Sequence, residues 1–182
     1  MTLTEAERKY IFGNYSEKNV LDIFSKVNNI ISIQQGDRYD IYDFLIITNN
    51  SILVVELKTR LFKYDRYKKT YFQADKLDKV KQMRTELKSQ FNNKKFYFIC
   101  LIGFTKYDDL NGINDIDFNE KNEIINMPDI DYYYIVYNKE KFNKFEKILS
   151  TWRSKPQLTI NIPIIDIKPF DKLITLIDTN II

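Results

Sequence analysis

Two hydrophobic periods alternate along this 182-residue chain, one of about 3.6 residues and one of two. Residues 16 to 28 place Val20, Ile23, Phe24 and Val27 on one helical face behind Ser16, a suitable N-cap. A short strand is predicted at 30–34, followed by two apolar strands at 42–48 and 51–58. Between these two lies Asn49-Asn50, which reads as a two-residue hairpin loop because Asn tolerates the positive φ of such turns. The period returns to helical over 73–91, with Leu77, Val80, Leu87 and Phe91 inward. Phe96 to Ile102 is an unbroken apolar run, the mark of a strand buried on both faces. Beyond it, Tyr132 to Tyr137 reads as a strand and Lys139 to Trp152 as a helix with Phe142, Phe145, Ile148 and Leu149 on its apolar side. Leu158 to Ile182 reads as short apolar strands set off by Pro156 and broken by Pro163 and Pro169, an edge element or a dimer arm.

The predicted hairpin carries chemistry. With Asn49-Asn50 as the loop, Thr48 faces Ser51, Ile47 faces Ile52, and the same register sets Asp43 opposite Glu56. Opposed like charges on an antiparallel pair cost roughly 0.2 to 1 kcal/mol, a cost that a divalent cation would offset. Lys58 lies two residues past Glu56 and projects from the same face, about 6.6 Å along the strand. Strand parity turns Asp40 to the opposite face, and Asp37, beside Gly36, reads as a turn acid. Other Glu-x-Lys or Asp-x-Lys triplets, at Glu7, Glu86 and Asp166, lack an upstream strand with an opposing acid.

The Asp43, Glu56, Lys58 set, in the order helix, three strands, helix, strand over 16–104, resembles the restriction-endonuclease-like PD-(D/E)XK nucleases. Tyr42 stands where the family's Pro would precede the first acid. The resemblance implies a mixed central β-sheet flanked by helices (αβββαβ) and Mg²⁺, or Mn²⁺ in its place, held by Asp43, Glu56 and the carbonyl of Leu57. It implies that Lys58 orients or helps deprotonate the attacking water. Such a cation takes oxygen ligands and supplies Lewis acidity to the phosphate. Many relatives place a further acid on the first helix, and Glu17 matches that position; it reads equally as a first-turn acid favouring the helix N-terminus. Some carry Gln or Lys on the second helix, which Gln73 and Lys76 match, against an ordinary surface-helix reading.

Charge adds an independent line. From Lys58 to Lys95 there are 13 Lys and Arg against 4 Asp and Glu, a net of +9 that leaves −6 on the rest of the chain. The first part of this block interleaves Arg60, Lys63, Arg66, Lys68 and Lys69 with Tyr64, Tyr67 and Tyr71, a pattern suited to contacting phosphates and bases. Its alternative is a solvated β-extension with Tyr stems on the core. The acidic pole, from Asp108 through Asp109, Asp115, Asp117, Glu120, Glu123 and Asp129 to Asp131, reads as a solvated connection.

Composition sets the bounds. The length, with only four Gly and four Pro, predicts a single α/β domain over 1–182, a core at about 16–104 and a strand-helix-strand extension at about 105–182. The absence of His excludes Ser-His-Asp, Cys-His and His-zinc chemistry, and Cys100 in its apolar strand reads as a small buried hydrophobe. No apolar run approaches a membrane span and the charged N-terminus is no signal peptide, so a cytoplasmic protein is expected. The wealth of Asn, Ile, Lys and Tyr suits an AT-rich genome, as in many phages and viruses. The functional expectation is a metal-dependent DNA endonuclease, and homodimerisation, common in that superfamily, would give two-strand cleavage. The alternative is a catalytically inactive protein of the same fold that binds DNA or serves in virion assembly.

Overall fold

The computed structural model describes residues 3–37, 40–106, 116–126, 128–150 and 156–182. It is an α/β structure with a mixed six-stranded sheet and a second, three-stranded antiparallel sheet. The chain runs α1 (Glu5–Ser25), β1 (Ile30–Gln35), β2 (Phe44–Thr48), β3 (Ser51–Arg60), β4 (Lys69–Gln73), α2 (Ala74–Gln90) and β5 (Lys95–Thr105). It continues through β6 (Ile130–Val136), α3 (Lys139–Lys144), β7 (Lys147–Ser150), β8 (Gln157–Pro163), β9 (Lys168–Pro169) and α4 (Phe170–Asp178). The large sheet has the order β1-β2-β3-β5-β6-β9, with β3 and β5 parallel and the other neighbours antiparallel.

Each face of this sheet has its own apolar core. Phe44, Ile46, Leu53, Val55, Leu57, Ile99 and Leu101 point to the side where Val20 and Phe24 of α1 and Leu173 and Ile177 of α4 are buried. Leu45, Ile52, Val54, Phe98, Cys100 and Ile102 point to the other, against Leu77 and Val80 of α2 and against Phe72, Ile160 and Ile162 of the small sheet. Burial of each such side chain contributes about 1.5–3 kcal/mol. Central β3 and β5 are therefore apolar on both faces, which is why no alternation is visible in them.

The hairpin register is the expected one: Phe44 pairs Val55, Leu45 pairs Val54, Ile46 pairs Leu53 and Ile47 pairs Ile52. At Asp43 it breaks. The Asp43 amide donates to the carbonyl of Val55 at 2.9 Å, so Asp43 and Phe44 both stand against one residue, the two-against-one geometry of a bulge. Asp43 is thus not squarely opposite Glu56, and the strand begins at Phe44 rather than 42.

Several predicted boundaries are corrected. The first helix starts at Glu5, eleven residues before Ser16, because Thr4 and Glu7 form a capping box; Ser16 lies buried mid-helix and bonds back to the Phe12 carbonyl. Residues 69–73 form β4, a strand made by pairing with β8, where the sequence pattern predicts the second helix to begin at 73 and gives the basic block a β-extension as its alternative reading. The predicted 139–152 helix ends at Lys144; residues 147–150 leave it for β7, where Ile148 and Leu149 are exposed, and Trp152 lies outside the described residues. The chain end holds a helix rather than only strands, since Phe170, Leu173 and Ile177 share one helical face behind Pro169. Of the acidic stretch, Asp108, Asp109 and Asp115 lie outside the described residues. The described part is fastened to α1: Ile116 packs on Phe12, and the Arg8 guanidinium donates to the Ile116 carbonyl at 3.0 Å.

Gly36 connects fold to site. Its amide donates to the Asp43 carbonyl at 2.9 Å, and a Cβ there would lie 2.1 Å from the Tyr42 carbonyl oxygen. Gly36→Ala is expected to lower stability by about 1–3 kcal/mol through forced backbone displacement. Urea unfolding measures it, and an unchanged midpoint would show that the loop yields freely.

Candidate active site

Four elements converge at the end of the β2–β3 hairpin away from its turn. Asp43 comes from the bulge, Glu56 and Lys58 from β3, Lys76 from the first turn of α2, and Glu17 from α1 on the opposite face of the sheet. Because Glu56 has the parity of Ile52 and Val54, it faces α2 and is fully buried. Its Oε1 lies 2.5 Å from the Lys58 ammonium and its Oε2 accepts from the Lys76 ammonium at 3.1 Å. The Lys58 contact is an ion pair by distance but lacks hydrogen-bond alignment, so Oε1 is a buried acceptor without a directed donor. Lys76 also donates to the carbonyls of Asp40 and Ile41 at 3.1 and 3.3 Å, tying α2 to the loop that delivers Asp43.

The bulge turns the Asp43 carboxylate toward β3, where its Oδ2 accepts from the Leu57 amide at 2.5 Å. The amide and carbonyl of one strand residue point the same way, so the Leu57 carbonyl faces the gap beside Asp43 as well. Burial raises the Asp43 carboxyl to about 6, helped by the charge of Glu56 and, more weakly, of Glu17; Lys58 and the Leu57 amide oppose the rise. Glu17 is held by Gln35 at the end of β1, whose side-chain amide donates to it at 3.1 Å. No local pattern singles out Gln35, since only the pairing of Gln35 with Phe44 brings it beside Asp43. The charge of Glu17 reaches Asp43, and among the described residues no three Asp, Glu or Cys side chains form a ligand group.

The basic residues divide. Arg60 is 9% exposed and is turned inward: its guanidinium donates to the Tyr71 carbonyl at 2.8 Å and to the Thr70 hydroxyl at 3.3 Å and lies 4.0 Å from the Tyr71 ring centre. It locks β4 to β3 instead of facing solvent. Gln73 also turns away from the carboxylates, donating to Gln157 at 2.9 Å. Lys69 pairs with Glu146 at 2.6 Å on the surface. Lys63 is partly buried, while Arg66 and Lys68 are exposed in the loop before β4. Of the interleaved tyrosines, Tyr64 stacks on Tyr133 at 4.1 Å as part of the core, whereas Tyr67 and Tyr71 are 50% and 41% exposed.

The chain matches no family model and no curated protein by sequence.

Proposed function

We propose that this protein is a metal-dependent DNA endonuclease of the restriction-endonuclease-like class. One observation carries the reading: a buried carboxylate, Glu56, and a second, Asp43, repel each other across the mouth of the hairpin with Lys58 beside them. The residues fit a divalent cation, because Glu56 Oε1 is buried without a directed donor and the Asp43 carboxyl, raised first by burial, is raised further by the charge of Glu56. Asp43, Glu56 and the Leu57 carbonyl would hold Mg²⁺, which needs only one or two carboxylates beside its waters. When bound it supplies Lewis acidity that neutralises charge on the phosphodiester. Lys58, 30% exposed at its side chain, is placed to hold and orient an attacking water, and Lys76 keeps Glu56 in position. The exposed Arg66 and Lys68, with Tyr67, would contact the backbone of the nucleic acid.

A second reading, a protein of this fold that binds DNA without cutting it, is favoured by the double pairing of Glu56 with Lys58 and Lys76, which already compensates its charge. Incubation with supercoiled and linear DNA in Mg²⁺ or EDTA separates the two. Cleavage is expected in Mg²⁺ alone, with Lys58→Ala slower by about 10²–10⁴-fold, the range of a lost proton-handling group. Identical, metal-independent results for both proteins would leave the binding-only reading, and cleavage of RNA but not DNA would move the substrate class.

A further inference from the structure

Alongside α2, away from the carboxylates, two adjoining hollows of about 410 and 500 Å³ share Arg84, Phe96 and Tyr97. Their floor is apolar, with Leu77 and Val80 of α2 facing Phe98 of β5 and Tyr137 beyond β6. Their rim is cationic: Lys81, Arg84, Lys88, Lys94, Lys95 and Lys139. Among the described residues no Asp or Glu lines either hollow. Two of the cations have other tasks, since Lys81 pairs with Asp78 and Lys94 donates to the carbonyls of Thr48 and Asn49. Arg84, Lys88, Lys95 and Lys139 present exposed side chains.

One inclined row of α2 residues links the site and the trough. Lys76, Val80, Arg84 and Lys88 follow one another at intervals of four, an inclined row of α2 that rises about 18 Å and winds about 120° round the helix between the lysine on Glu56 and Lys88 of the far hollow. At about 3.4 Å per stacked nucleotide this spans roughly five nucleotides. Half-covered aromatic rings at Phe96 and Tyr137 between cations suit bases and phosphates together, whereas duplex DNA offers its bases only edge-on.

We propose that this trough binds a single strand of nucleic acid and leads it to the carboxylate site. The proposal rests on the nuclease reading only in making that strand the substrate. Four phosphate contacts at about −0.7 each predict that log K falls with log salt at a slope of about −2.8. The test measures binding of a fluorescein-labelled twelve-residue oligo-thymidine by anisotropy in EDTA, where the trough is assayed apart from catalysis. The double variant Arg84→Ala, Lys88→Ala alters only exposed side chains and is expected to reduce the slope to about −1.4. Tyr137→Leu stays apolar but removes the aromatic face, with its edge contacts to Phe98 and Phe142, and is expected to weaken binding about tenfold with the slope unchanged.

An unchanged slope in the double variant would overturn the proposal, as would equal affinity for a twelve-base-pair duplex. Displacement of the oligonucleotide at lower concentration by poly-glutamate than by unlabelled oligo-thymidine of equal charge would also overturn it, assigning the trough to an acidic protein segment. The expected slopes support the trough whether or not the protein cleaves. Cleavage that persists alongside insensitive slopes would keep the nuclease reading and remove the trough.

Discussion

Glu56→Gln is expected to reduce Mg²⁺-dependent cleavage by about a thousandfold while leaving the protein folded. The variant keeps the shape of the side chain and removes the charge that a cation needs, and the loss of about 4 kcal/mol of charge stabilisation in the transition state corresponds to that factor. The folding argument is separate. Removing one partner of a buried ion pair can cost 3–5 kcal/mol when the other is left buried and uncompensated. Here the partners are Lys58 and Lys76, with side chains 30% and 20% exposed, so both ammonium groups can turn to water. The stability loss is therefore expected near the lower figure of about 1.5–3 kcal/mol for a lost charged hydrogen bond. Paired measurements of cleavage rate and thermal unfolding test both halves. A variant that cuts at the wild-type rate would remove Glu56 from the chemistry, and one that fails to fold would make it a structural residue.

The metal-free protein is expected to lose stability as the pH rises from about 4 to about 6, against the usual trend for carboxylates. The sign follows from Asp43, whose folded value is raised from 3.8 to about 6 by burial first and by the charge of Glu56 second. Within that window the folded chain still holds a proton that the unfolded chain has released, so stability falls with increasing pH. The full difference is about 3 kcal/mol at about 1.4 kcal/mol per unit, an upper figure for a partly buried group. Asp43→Asn is expected to flatten this dependence and to raise the melting temperature at pH 8 in EDTA. Saturating Mg²⁺ is expected to stabilise the wild type more than the variant, because a ligand of the folded state adds its binding free energy. Melting curves across pH 4–8 in EDTA decide the matter, and parallel profiles for the two proteins would contradict the placement of Asp43.

Much of the frame was legible along the chain because its signals are local. The turn at Asn49-Asn50 and the apolar runs on either side set the register of Phe44 to Ile47 against Ile52 to Val55. Helical spacing located α2, and the unbroken run at Phe96 located the buried strand β5. The same spacing was present in Phe170, Leu173 and Ile177, where the abundance of Ile suggested strands instead. Strands β4 and β7 had no such marker. β4 is defined by the backbone of β8, a partner distant in sequence, while β7 pairs with the same strand from just upstream of it, and the exposed Ile148 and Leu149 show that β7 is held there by pairing more than by burial.

The site divides along the same line. Sequence by itself determined which residue types stand at Asp43, Glu56 and Lys58 and which face of β3 the last two share, because side-chain parity in a strand is a property of the local backbone. Tertiary structure decided that Asp43 sits in a bulge, with its carboxylate on the Leu57 amide and its own amide on Val55. It also decided that Lys76 belongs to Glu56, that Gln35 holds Glu17, and that Arg60 is a buried lock between β3 and β4. These contacts join residues 11 to 20 positions apart on different elements, and burial and hydrogen-bond satisfaction select them only when the elements have packed.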